Sequence, residues 1–347
     1  MEADEDGVTI TRIVRRRTSR LRAETIGVDH GTYRRMRLLG LPFALFNILW
    51  WLYACSGASS DPSLHHIEWF AGVGTIHRAV TALGYASVQC DVLHNALCHN
   101  FITKEGILHS CQLLRRLIVG GGNHYATVCS SWVFLNRSSS KRFDVCPLGF
   151  PPQPQYVLDA NAMVSIMALF WMWGIAAKTC TVLEQPLSSL MERHPRLVQV
   201  QGVLGKRWFA CTTAMGAFGG PTEKATNLYS DSPYVHRLRR SCTAADQKRF
   251  AEIAKDLASK DPVTGQTTGG TDLKESQAYP EEYGRQVANA WKSHWDVVHC
   301  SDSGDEESSD EETLVERDSW SDAQLGSVCS WLGLPVDRMA PSVAFGE

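Results

Sequence analysis

The segment IEWFAGVGTIHRAV, Ile67 to Val80, constrains the chain more than any other. An apolar, aromatic run (Ile67–Phe70) enters Ala71-Gly72-Val73-Gly74 without a spacer, and a helical pattern begins at Thr75. A strand that passes through a glycine turn straight into a helix belongs to βαβ architecture, because parallel strands need a crossover between them. The same rhythm continues with ASVQC (Ala86–Cys90), a helix over Ile107–Val119, and YATVC (Tyr125–Cys129). A long Met- and Ala-rich helix over Val157–Ala177 and the strand CTVLEQP (Cys180–Pro186) follow. Residues 62–300 are therefore predicted to form an α/β body with a doubly wound, mostly parallel sheet of Rossmann-like type.

Glycines at such a turn let the backbone approach a ligand closely. Asp91 stands at the end of the next strand, where a carboxylate can accept hydrogen bonds from ribose hydroxyls. An acid about 20 residues after a glycine turn is the pattern of a nucleotide-type cofactor site.

Charge argues against a broad sequence-independent nucleic-acid surface. The formal charge of the 347 residues is -3, but Asp302 to Asp318 holds nine acids against one arginine. The arginines of the N-terminal arm offset much of this, so the body is close to neutral, whereas strong phosphate binding needs a basic face. The richest basic stretch, Glu192–Lys255, has eleven Lys and Arg against five acids, and reads equally as a phosphate-facing rim or a solvated face. Eleven cysteines without a single C-x-x-C pair suggest neither a zinc knuckle nor a disulfide scaffold. No metal is expected on that basis, and the thiols read as small buried hydrophobes in a reducing compartment.

The flanks differ from the body. Residues 1–37, with nine arginines, read as a basic disordered arm. Leu38–Ser60 contains no charge and has the length that a bilayer span requires. Arg34, Arg35 and Arg37 precede it, which favours membrane association as a signal-anchor helix. A signal peptide ending near Ala54 and a core helix interrupted by Pro42 and Asn47 are the other readings. Residues 301–318 form a disordered acidic, Ser-rich linker, and 319–347 a tail whose Ser319–Leu334 stretch is amphipathic.

FAGVG (Phe70–Gly74) resembles the F-x-G-x-G motif of the S-adenosylmethionine-dependent cytosine-5 DNA methyltransferases. Four further elements follow in that family's order. VCSSW places Cys129 where the family has Pro-Cys, and LEQP places Glu184 where it has Glu-Asn-Val. Gly219-Gly220-Pro221-Thr222-Glu223-Lys224-Ala225-Thr226 is similar to Gly-x-Pro-Gln-x-Arg-x-Arg, and Val287-Ala288-Asn289-Ala290 to a late Gly-Asn-Ala-Val.

The resemblance implies a methyltransferase that binds S-adenosylmethionine through Phe70, Gly72, Gly74, Asp91 and Asn289, with Asn100 nearest to the adenine-side acid. It implies a nucleic-acid base as substrate, with Cys129 as nucleophile, Glu184 as the acid at ring nitrogen 3, and Arg137 and Lys224 on the phosphate side. Thiolate addition at carbon 6 makes carbon 5 nucleophilic, and an acid at nitrogen 3 stabilises the developing charge. The chain departs from the pattern at Val128, which replaces proline, and at Thr226, which replaces the second arginine. Residues 227–286 are also few for a domain that reads target bases. Two alternatives stand beside this reading: a non-catalytic cofactor- or RNA-binding module, and a membrane-anchored lumenal protein of other function.

Overall fold

The computed structural model describes residues 62–253, 258–260, 267–269 and 277–301. The basic arm, the apolar run Leu38–Ser60, and the acidic linker and tail from residue 302 lie outside the described residues.

Six strands form one mixed sheet flanked by helices. They are β1 (Leu64–Trp69), β2 (Ser87–Cys90), β3 (Leu117–Tyr125), β4 (Cys180–Pro186), β5 (Phe209–Ala214) and β6 (Ala225–Ser230). Their spatial order is β2-β1-β3-β4-β6-β5. The pairs β1/β2, β1/β3 and β3/β4 are parallel, whereas β6 runs antiparallel to both β4 and β5. A small separate hairpin pairs Ala258–Lys260 with Thr267–Gly269.

The expected α/β body is observed, but the sheet is mixed rather than mostly parallel, because both pairs that involve β6 are antiparallel. The hairpin-like return of β6 between β4 and β5 is long-range pairing, which local periodicity does not encode. The expected helix over Ile107–Val119 also ends earlier. Helix α2 spans Lys104–Arg116, and Leu117, extended at its C-cap, already begins β3. The strand LIVGGGNHY was masked in the sequence by its three glycines. They have a packing reason: a Cβ at Gly122 would lie 2.6 Å from His66 and 3.0 Å from Trp291.

Alternation along the strands separates the two faces. Ile67, Trp69, Tyr125 and Leu183 bury against α2, α3 (Gln155–Ala176) and α4 (Pro195–Leu204). Helix α3 is apolar on all sides and long enough to cross a bilayer, but it is mostly buried, as a core helix is. The opposite face is covered by α1 (Thr75–Ala82), the 3-10 turn Pro233–Leu238 and α6 (Glu281–Ser301), which follows the short helix α5 (Ala244–Ile253) in the chain. Here the sheet presents His66, Glu68, His124 and Glu184, all buried.

This topology positions a site. Trp69 is in register with both Cys90 and Tyr125, and Tyr125 with Leu183, so four parallel strands end along one edge. The chain leaves β1 outward to β2 and returns on its other side to β3. Such a reversal opens a crevice outside the carboxyl ends, where open α/β sheets take ligands.

Candidate functional site

The first half of the edge is the β1–α1 turn. Phe70 has a φ of 58°, a conformation that costs a bulky residue energy and that neighbouring contacts must impose. Its ring packs on Phe101 at a centroid distance of 4.8 Å, and the Ala71 amide donates to the Cys90 carbonyl at 3.0 Å. Gly72 and Gly74 have φ of 53° and 70°, so both need the left-handed freedom of glycine. Their surroundings differ. A Cβ on Gly72 would meet nothing within 4 Å, whereas one on Gly74 would fall on the Gln89 side chain. Gly74 therefore serves the packing of α1 against β2, and Gly72 faces open space at the edge.

Asp91 fixes this turn. One carboxylate oxygen accepts from the Gly72 amide at 2.9 Å and the other from the Leu93 amide at 2.9 Å. His94 Nε2 lies 2.7 Å from the Gly72 carbonyl oxygen. Below the turn, Glu68 is fully buried and accepts from the His77 amide at 2.7 Å, inside the first turn of α1. Burial pushes the Glu68 carboxyl up to about 7, against the pull of that amide, its Ile76 neighbour and Arg78.

The second half lies at the ends of β3 and β4. Glu184 is buried, accepts from the Tyr279 hydroxyl at 3.0 Å, and has Lys224 Nζ at 4.0 Å from its other oxygen. Lys224 also sits 5.7 Å from the Tyr279 ring centre. Tyr279 reaches this position because α6 crosses tightly over α1: a Cβ on Gly284 would lie 2.7 Å from Thr75, whose hydroxyl donates to the Tyr279 carbonyl at 3.3 Å. Cys129, half-buried in the loop beyond β3, feels the same group. Burial raises its thiol pKa first, the Glu184 carboxylate raises it further, and Lys224 lowers it. Gln185 holds the two strand ends together by donating to the Thr127 carbonyl at 2.8 Å.

Cys129, Glu184 and Lys224 thus converge, and so do Phe70, Gly72, Gly74 and Asp91. The other sequence-named residues do different things. Asn100 accepts from the Ile102 amide at 3.2 Å in the turn that leads into α2. Asn289 is exposed on α6, its carbonyl accepting from Ser293. Arg137 is 3.7 Å from Asp144 and lies over the Phe134 ring. Arg142 and Lys141, near Cys129 in sequence, do not serve it. Arg142 is buried beneath Trp132 and donates to Pro147, Asn161, Ser131 and Val157, and Lys141 donates to the Pro152 carbonyl. The cation that acts on Cys129 is Lys224.

Sequence reasoning missed Glu68 and Tyr279. Glu68 carried a signal, since an acid between Ile67 and Trp69 occupies the face opposite the apolar core. Tyr279 carried none, being 95 residues from the carboxylate it touches.

No protein-family model and no curated protein matches the chain.

Proposed function

We propose that the body is a methyltransferase of the S-adenosylmethionine-dependent kind, acting on a nucleic-acid base through Cys129 and Glu184. The observation that carries this reading is the convergence of Cys129, Glu184 and Lys224 at the same sheet edge as the Gly72–Asp91 turn. The single reversed strand β6 is compatible with a doubly wound body whose other strands share one direction.

The residues present fit the methyl donor. Open space beside Gly72 leaves room for close backbone approach. Asp91, already accepting one amide on each oxygen, keeps lone pairs for ribose hydroxyls. Bound there, S-adenosylmethionine supplies an electrophilic methyl group. The chain's own residues do the rest. Cys129, as thiolate, bonds to carbon 6 of cytosine as the 5,6 π bond opens and places electron density at carbon 5; once carbon 5 is methylated, loss of its proton to a solvent base expels the thiolate and restores the ring. Glu184, in its protonated form, donates to ring nitrogen 3 and stabilises the charge that develops. Tyr279 and Lys224 hold Glu184 in place from either side.

A second reading has its own support. Burial and Glu184 both push the Cys129 thiol up, and the family's proline is Val128, so the body also suits a cofactor-binding module without transfer. One experiment separates the two. The full chain is titrated with S-adenosylhomocysteine by calorimetry, then incubated with the methyl donor and 5-fluorocytosine-containing DNA or RNA, single- and double-stranded. Fluorine at carbon 5 blocks release of the enzyme, so a stable adduct lost in Cys129→Ser establishes transfer. Binding without adduct or methylated product supports the module. Absence of binding by the folded chain refutes both.

A further inference from the structure

A second group of side chains lies behind the Gly72–Asp91 edge. Cys90, the last residue of β2, is a buried free thiol. The connection beyond it folds back so that His99 lies beside it, and His109 reaches the same point from α2. One ligand-type atom of each residue lies within 4.8 Å of the others. The two imidazole centres are 5.3 Å apart with their planes inclined by 32°.

Both rings are oriented by an outer contact. His99 Nδ1 is held against the Asp91 peptide, 2.9 Å from its carbonyl oxygen and 3.1 Å from its nitrogen. Nδ1 accepts from the Asp91 amide in the tautomer that protonates Nε2, and a metal at Nε2 selects the other tautomer, with Nδ1–H donating to the carbonyl. His109 is hydrogen-bonded to the Gln112 side chain, one helical turn away. Histidines that bind metal are typically fixed in this manner through the other ring nitrogen, to a backbone carbonyl or a side-chain oxygen. Surface histidines without a ligand need no such restraint.

We propose that Cys90, His99 and His109 bind a zinc ion, with the fourth coordination position left to water or an exogenous ligand. One thiolate and two neutral imidazoles form a borderline-soft donor set that suits tetrahedral zinc. Bond lengths of about 2.3 Å to sulfur and about 2.0–2.1 Å to nitrogen place ligand atoms roughly 3.3–3.6 Å apart in a tetrahedron. Closing a spacing of at most 4.8 Å to that value takes up to about 1.5 Å, within reach of side-chain rotation at the part-exposed histidines. Among the described residues no fourth His, Cys, Asp or Glu joins the group. Binding releases the Cys90 proton to solvent, because the ligand is the thiolate. The ion would tie the end of β2 to α2 and clamp the connection that carries Asp91. Nothing in this site depends on methyl transfer.

The test is cobalt substitution in the metal-stripped full chain. One equivalent of Co2+ is expected to give a thiolate-to-cobalt charge-transfer band and visible bands of tetrahedral intensity, both abolished by Zn2+. The charge-transfer band should vanish in Cys90→Ser, and affinity should fall at least tenfold in His99→Gln and in His109→Gln. The histidine variants guard against a failure of Cys90→Ser to fold, since both positions are part-exposed. No band in the parent, a band undiminished in Cys90→Ser, or unchanged affinity in both histidine variants overturns the proposal.

Discussion

Replacing Glu68 by Gln should stabilise the protein in neutral buffer and leave it almost unchanged in acid. Two effects compete at this carboxyl. The amides of His77 and Ile76, at the positive end of α1, favour the ionised form by amounts usually near 1 kcal/mol each. Complete burial opposes ionisation, and it wins, because the carboxyl is raised from 4.5 to about 7. The interval from 4.5 to about 7, at about 1.36 kcal/mol per pH unit, corresponds to about 3 kcal/mol. The folded state therefore binds more protons than the unfolded chain between those values, so stability falls as pH rises through that window and is level above it. Gln keeps an oxygen to accept from His77 but never ionises. Urea denaturation at several pH values between 4.5 and 8 should give equal stabilities for parent and Glu68→Gln at the acid end. At pH 8 the variant should be ahead by about 3 kcal/mol. Taking the difference between the two proteins cancels other groups such as Asp231, whose carboxyl is also pushed up to about 7 by burial. A variant no more stable than the parent at pH 8 would show that the helix amides outweigh desolvation, and the reasoning would be wrong.

Three further outcomes are expected. Gly72→Ala should cost about 1–2 kcal/mol for its left-handed φ and weaken S-adenosylhomocysteine binding at least tenfold by calorimetry; unchanged affinity would remove this turn from the cofactor site. Alkylation of Cys129, measured against Cys129→Ser as blank, should shift to lower pH in Glu184→Gln and to higher pH in Lys224→Met, and coincident profiles would disprove their coupling. Arg142→Met should cost about 3 kcal/mol or more in urea, because it leaves buried acceptors at Ser131 and Val157 and half-buried ones at Pro147 and Asn161 unpaired; a loss below about 1 kcal/mol would mean those groups find other partners.

The sequence announced what is local. The β1–turn–α1 unit, β2, α3 and β4 follow from runs of apolar residues whose ends are marked by glycine, aspartate or proline, and β4 has the bounds that CTVLEQP suggests. Their carboxyl ends bring the Gly turn, Asp91 and Glu184 to one edge because parallel strands share a direction, so this grouping was legible to the extent that strand direction was; the expected strand Tyr125–Cys129 was not, since β3 ends at Tyr125 and Cys129 lies in the loop beyond it. Three kinds of information were not local. The α2–β3 boundary was hidden by three glycines, of which Gly122 leaves room for Trp291 and Gly120 for Trp295 and His299, all residues of the last helix. The β5–β6 pairing joins segments flanking the Gly219–Thr226 motif, which is recognisable as a motif but silent about direction. Sequence neighbours also misled: Arg142 follows Cys129 closely, yet it turns beneath Trp132 to tie down the loop, while Lys224 arrives from the turn just before β6.

The coupling among Cys129, Glu184 and Lys224 bears on whether this edge is equipped for chemistry. Burial and the neighbouring Glu184 carboxylate both disfavour the Cys129 thiolate in the unliganded chain. Moving one proton from the thiol to the carboxyl leaves the total charge unchanged and produces the acid and the thiolate that base methylation requires. Each form favours the other. A neutral Glu184 no longer opposes the thiolate, and the positive charge of Lys224, 4.0 Å from Glu184 Oε1, is left to stabilise it. The Tyr279 hydroxyl, whose hydrogen can rotate, can donate to an ionised Glu184 or accept from a protonated one without moving its ring. A base whose nitrogen 3 accepts from Glu184 selects the protonated carboxyl, and so draws the thiol towards its reactive form as it binds. On this account a raised thiol pKa in the unliganded chain is compatible with catalysis, because the group that raises it is the one the substrate engages.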